Sequence, residues 1–533
     1  MVIRPSRIDL ADDACLNVRV LTRCLASLAG VWLVLLGAAT IVAQSSIPRT
    51  ADGRPNLQGF WQVRNSPDEN LEAGFVEGGT IPYLPAAAAQ RAKNAAAKAT
   101  ADPLSHCYIP GVPRIMYMAW PFQILQTKDH LAMLFEWSLD YRLIFADGSP
   151  HYTPLTPFMG DARGRWEGDT FVVDVISLND RTWFDKTGTF HSDALHVVER
   201  YTMLDPNTIR YEATLEDPNV FTRPWKIRMQ LSRRRGIDRI REFHCQAEKE
   251  ERNGDFEREA RTWYPGPKAA IKTLAFTPAP EQHRPSTAPA SVRRTADGKP
   301  DLNGVYEPDH GGANWGLETR PATALTPAGR GIVIDPPDGK LPFQPWAREE
   351  RTVRNSSLRG YDDPTAHCFP AGVPRAMYVP VPFQIVQTPE TIATLHERMA
   401  WRVIGLNRPT HLPATVRFWQ GDSIGHWDGD SLVVDTTNLN GKTWGSEAGD
   451  VFSYAEHVLE RFTPVDSNTI QYEATVTDPL VYTRPFTIAF PIRRMLVGEL
   501  MEAACREEDR DLPILKRIRD QERKRLGIRP PNP

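Results

Sequence analysis

The chain repeats itself. Residues 106–127 read HCYIPGVPRIMYMAWPFQILQT and residues 367–388 read HCFPAGVPRAMYVPVPFQIVQT, identical at 14 of 22 positions without a gap. The match resumes with GDARGRWEGDTFVVD from Gly160 against GDSIGHWDGDSLVVD from Gly421. It resumes again with NTIRYEATLEDPNVFTRPWKI from Asn207 against NTIQYEATVTDPLVYTRPFTI from Asn468, and all three blocks share an offset of 261. An opening block, RTADGRPNLQGFW from Arg49 against RTADGKPDLNGVY from Arg294, is offset by 245, so the second copy holds extra residues ahead of its His-Cys motif. The fold must therefore be one that each copy completes. At 533 residues the chain is also too long for a single core. The expected organisation is an export segment at 1–44, a first module at 49–265, a Pro/Ala-rich linker at 266–293 and a second module at 294–525.

Inside a module the periodicity is that of strands. Thr170–Val175, His196–Thr202, Thr208–Thr214 and Trp225–Leu231 alternate or run apolar, and turn signals such as Asp147-Gly148, Gly168-Asp169, Asp205-Pro206-Asn207 and Asp217-Pro218 separate them. Only Pro85–Ala101 and Leu515–Leu526 read as helices. Many short strands at hairpin spacing must hide their edges, which predicts a mainly β protein of two tandem antiparallel β-barrel-like modules. Gly59-x-Trp61, and Gly304-x-Tyr306 in the second copy, resemble the Gly-x-Trp that opens the first strand of lipocalin-type barrels. The alternative is an ordinary strand-start aromatic that plugs a barrel end.

Residues Leu25–Ala43 carry no charge and follow Arg4, Arg7, Arg19 and Arg23, the asymmetry of an export signal, with an uncleaved signal anchor as the alternative. No later run is long and apolar enough to span a bilayer. The expected location is periplasmic or secreted, with membrane contact only through that anchor. As a whole the chain resembles an uncharacterised family of exported bacterial proteins that share His-Cys-x-Pro-like, Gly-Arg-Trp-Glu-Gly-Asp-Thr and His-Ser-Asp-Ala-Leu-His stretches. The resemblance implies the repeated fold unit and export, and implies no chemistry.

Beyond the export segment four cysteines remain, two per module: Cys107 and Cys245, separated by 138 residues, and Cys368 and Cys505, separated by 137. The matched separations point to one disulfide in each module, joining an early segment to the last strand. Buried thiols are the second reading. Metal binding through His106 and His244 beside the cysteines is the third, and it is weakened by Ala504 in place of a second His.

A formal charge of -3 supplies no field for a polyanion, so nucleic acid is not an expected partner. No serine-hydrolase elbow, zincin motif, phosphate loop or dinucleotide fingerprint is present, and the sequence asks for no cofactor and no metal. Polar residues held in both copies, among them Arg114/Arg375, His151/His411, Asp169/Asp430 and Glu199/Glu460, are expected to serve the fold. Arg114 would satisfy carbonyls at a Pro-bent turn or hold a carboxylate ligand, and Asp169 would bond its own turn. The informative asymmetry is HSDALHVVER at 191–200, which becomes FSYAEHVLER. His191, Asp193 and His196 can together supply an acid and a base near neutral pH, with Asp193 orienting a histidine. A metal held by the two His and the carboxylate, and a solvated loop leading into a strand, are the alternatives. The expectation carried forward is an apolar or aromatic small molecule bound in a barrel, with Glu136, Arg142, Trp166 and Trp183 as ligand contacts. Acid–base hydration, dehydration or isomerisation in module one would act on it. A non-catalytic carrier or an envelope scaffold is the alternative.

Overall fold

The computed structural model describes residues 46–525, apart from 153–154, 254–285, 323–326, 356–359, 399, 407, 497 and 506–510, together with residue 527. The expected export segment and most of the expected linker lie outside the described residues. The strands of module one are β1 (Gly59–Val63), β2 (Phe122–Gln126), β3 (His130–Phe135), β4 (Tyr141–Phe145), β5 (Asp161–Glu167), β6 (Thr170–Ile176), β7 (His196–Asp205), β8 (Thr208–Glu216) and β9 (Trp225–Arg233). They pair in sequence order, and β9 returns to β1 to close a barrel. Nine strands that alternate in direction cannot close with every neighbour antiparallel. One parallel pair is required, and it lies between β4 and β5, with residues 146–160 as the crossover.

Module two repeats this plan with β10 (Gly304–Pro308), β12 (Phe383–Gln387), β13 (Thr391–His396), β14 (Ala400–Gly405), β15 (Asp422–Asp428), β16 (Ser431–Thr437), β17 (His457–Pro464), β18 (Thr469–Thr477) and β19 (Phe486–Arg494). β14 and β15 form its parallel pair, and β10 closes on β19. Module two also has a short strand, β11 (Val333–Asp335), laid on β19 where module one has the single bridge Val76–Ile227, and a helix, α3 (Pro345–Arg354), at the position of the module-one helix that begins at Pro85.

Helices are more numerous than the two expected. The expected helix at Pro85–Ala101 forms as α1 (Pro85–Ala96) and a further turn at Lys98–Ala101, and besides α4 (Asp511–Arg525) the described residues include α2 (Cys245–Asn253) and α3. Both are short and charge-rich, although α3 lays Trp346 and Ala347 on the core. Among the described residues no helix is long and apolar enough to cross a membrane.

Alternation along the strands separates the two barrel faces. On β7, Val197, Glu199, Tyr201 and Met203 point inward and are buried, while His196, Val198 and Arg200 point out. The Gly-x-Trp motif belongs to the closure. Trp61 is fully buried, its indole N–H donates to the Leu57 carbonyl at 2.8 Å, and the Arg233 guanidinium lies 4.2 Å over its ring. Gly59 has a positive φ of 123°, and a Cβ there would run into Arg233 Nη1, so this crossing needs glycine. Gly304, Tyr306 and Arg494 reproduce the arrangement in module two.

The expected disulfides are formed, Cys107–Cys245 and Cys368–Cys505. The late cysteine of module one does not sit in the last strand as expected. Cys245 opens α2 and Cys505 follows an irregular tail, both beyond the barrel.

These tails join the modules. After β9 the chain crosses to module two, where Arg239 bonds Asp422 at 2.5 Å and the Glu242 carboxylate accepts the backbone N–H groups of Trp419 and Gln420 at 2.6 and 3.0 Å. It then returns to module one through Cys245. The second tail mirrors it: Glu499 pairs with Arg163 at 2.9 Å, and Glu502 accepts from Phe158 and Met159 at 2.7 and 3.0 Å. Between the barrels, Tyr141 donates to the His396 carbonyl and Trp401 to the Phe135 carbonyl, each at 3.0 Å. The Glu242/Glu502 and Tyr141/Trp401 contacts each recur at the equivalent position of the other copy, the reciprocity of a two-fold dimer built within one chain, while Arg239–Asp422 and Glu499–Arg163 place different pairs in the same region.

Candidate functional site

The residues expected to carry chemistry in module one do not form one constellation. His191 is buried; its Nε2 lies 2.7 Å from Thr182 Oγ1, its Nδ1 2.9 Å from the Ser192 carbonyl, and its ring stacks on Phe184. Burial pushes its pKa down. In module two Phe184 and His191 become Gly445 and Phe452, and a Cβ on Gly445 would meet the Phe452 ring at 2.8 Å. The asymmetry is thus an exchange of packing volume across one contact. Asp193 lies exposed on the turn. His196, on the outer face of the barrel, bonds Asp174 at 2.8 Å, so Asp174 and not Asp193 orients it.

His196 belongs to a four-residue array with Asp174, His151 and Asp161, in which His151 Nδ1 lies 2.9 Å from Asp161. Module two holds the same array as His457, Asp435, His411 and Asp422. Its presence in both copies marks it as part of the fold. Among the described residues no group of His, Cys, Asp or Glu is arranged to hold a metal ion. His106 instead lies 2.8 Å from the Thr100 carbonyl, and His367 repeats this with Tyr361 at 2.9 Å.

The expected ligand contacts lie apart. Arg142 is fully buried inside the barrel, bidentate to Glu199, whose carboxylate also accepts from Tyr201 and Tyr211. Glu136 is half-buried and held by the Arg241 backbone, and burial raises its pKa. Trp166 caps a barrel end against Phe171 at 5.1 Å. Trp183 is buried, with its carbonyl near Arg114. Arg114 itself forms bidentate bonds to Asp102 and a bond to Asp68 at 2.8 Å, so its principal partners are carboxylates of the fold. Asp169 is likewise not a self-bonded turn residue, because Arg49 grips both its oxygens.

The cleft that does combine apolar walls with convergent polar groups is in module two. It has a volume of about 240 Å³ and lies beside the Cys368–Cys505 disulfide. Phe369, Pro370, Val379, Pro380, Val381 and Trp315 form its apolar wall, and His244, Asn314, His396, Arg398, Gln420 and Glu447 bring polarity. Asn314 is the counterpart of Asp68, bonding Arg375 as Asp68 bonds Arg114, Trp315 stands where module one has Glu69, and His244 comes from the tail of module one. The Asn314 amide donates to Glu447 at 2.9 Å. His396 is buried, and burial together with the nearby Arg402 pushes its pKa down to about 3.

The equivalent ground in module one is filled. Val381, Arg398 and Ala503 correspond to Trp120, Trp137 and Phe243, whose rings pack on one another with centroids 4.5 to 5.9 Å apart. His396 and Gln420 correspond to Phe135 and Met159. Two copies of one fold thus differ where one is plugged by aromatics and the other is open and polar. The signal was in the sequence as pairwise differences between the repeats at five positions, spread over four separate segments. No protein-family model matches this chain, and no curated protein matches it.

Proposed function

We propose that the protein is an exported carrier that binds an apolar or aromatic small molecule in the module-two cleft. The observation that carries this reading is the contrast between the copies. The fold does not need the cleft, since module one replaces it with Trp120, Trp137 and Phe243. An apolar pocket with a few convergent polar groups is the usual form of a small-molecule site. Export to the periplasm or the outside is supported by the charge asymmetry ahead of Leu25 and by two disulfides, which persist in oxidising compartments.

The test restores the plug. Val381→Trp/Arg398→Trp gives module two the aromatics that module one already accommodates. Titrated with the fluorescent probe N-phenyl-1-naphthylamine, the wild type should bind, and the double variant should bind at least tenfold more weakly with its melting temperature preserved. Unchanged binding in the plugged variant would refute the reading.

Acid–base turnover in module one retains one supporting observation, the solvent-accessible His196 paired with Asp174. It requires turnover that His196→Ala abolishes with folding intact.

A further inference from the structure

The Gln420 side chain is 2% exposed and lines the cleft, and its Oε1 has no hydrogen-bond partner among the described residues. Leaving such a group unmatched in a buried site costs free energy, and a ligand that supplies the missing partner recovers it. The residue also lines a second cavity between the modules, of about 280 Å³. Its backbone is fixed by the Glu242 bond described above.

The electrical balance of the cleft narrows the ligand further. Arg398 and Glu447 carry opposite charges at its rim, and His396 remains neutral throughout the physiological range. These opposed rim charges single out neither an anion nor a cation. The volume lies below the usual range for drug-sized ligands and suits one or two rings. The extended wall of Phe369, Trp315 and prolines favours a flat face.

On the reading that this cleft is the binding site, we propose that its ligand is a neutral ring compound bearing a hydroxyl group, a phenol or cyclic alcohol, whose O–H donates to Gln420. In module one the equivalent Met159 can offer no such acceptor.

The test compares 2-naphthol with 2-methoxynaphthalene, which keeps the ring and the oxygen but loses the donor, by ligand fluorescence in wild type, Gln420→Met and the plugged Val381→Trp/Arg398→Trp variant. The expected result is about tenfold tighter binding of 2-naphthol in wild type, a ratio that falls close to one in Gln420→Met while 2-methoxynaphthalene affinity is kept. Equal affinities in wild type, or a ratio that survives Gln420→Met, overturn the hydroxyl inference; loss of binding in the plugged variant would then leave the cleft reading intact. Absence of binding by either compound, or binding that the plugged variant retains, overturns both.

Discussion

Individual residues owe their positions to charge pairing and volume more than to chemistry. Arg142 and Glu199 are buried together inside barrel one, as Arg402 and Glu460 are inside barrel two. Removing one member strands a buried charge, so Glu199→Ala should lower stability by about 3–5 kcal/mol in urea unfolding, while Arg142→Met/Glu199→Leu should recover most of the loss. A full loss in the double variant would contradict the pairing argument. His411 lies between Asp422 and Asp435; burial acts to lower its pKa, but the two carboxylates overcome it and hold the group at about 9. The folded value exceeds the unfolded value of about 6.5, so the contribution is fully present below about pH 6.5 and is lost as pH rises through about 9. His411→Gln should therefore destabilise more at pH 6 than at pH 10, as thermal melts at the two pH values would read. The exchange of Phe184/His191 for Gly445/Phe452 predicts that His191→Phe destabilises alone and is rescued by Phe184→Gly, a coupling that a double-mutant cycle measures.

At the scale of elements, His196–Asp205, Thr208–Glu216 and Trp225–Arg233 were legible because one face of each is buried and the other is not. The parallel β4–β5 pair was not legible, since it follows from closing an odd number of strands and no local pattern encodes it. α2 was missed because it is held by its opening Cys245 disulfide, and α3 because charged residues stand where its module-one counterpart α1 is Ala-rich. The disulfides were legible as matched separations. By the chain-entropy argument each loop closure adds roughly 5 kcal/mol before strain. The tails have a sharper test in Glu242, whose carboxyl burial pushes up to about 8 against the pull of the Gln420 and Trp419 N–H groups. Glu242→Ala leaves both amides without their acceptor, at a cost of about 1–3 kcal/mol each, and amide exchange at 419 and 420 should quicken relative to the rest of barrel two. Unchanged exchange there would show that the tail does not hold the junction.

At the scale of the whole molecule, duplication yields two barrels that dock reciprocally and then diverge. The sequence asymmetry at 191–200 drew attention to module one, yet it resolves into a compensated packing change. The asymmetry that opens space is distributed over Val381, His396, Arg398, Gln420 and Ala503, and becomes visible only when the fold brings these positions near one cleft. That is why half of the argument was available from the repeats and the location was not. The most direct measurement is the crystal structure of the protein with 2-naphthol. The account predicts the ring between Phe369 and Trp315 in module two, with its hydroxyl about 2.7–3.2 Å from the Gln420 side chain. A ring seated inside either barrel, on the His196–Asp174 face or among the aromatics of module one would contradict it.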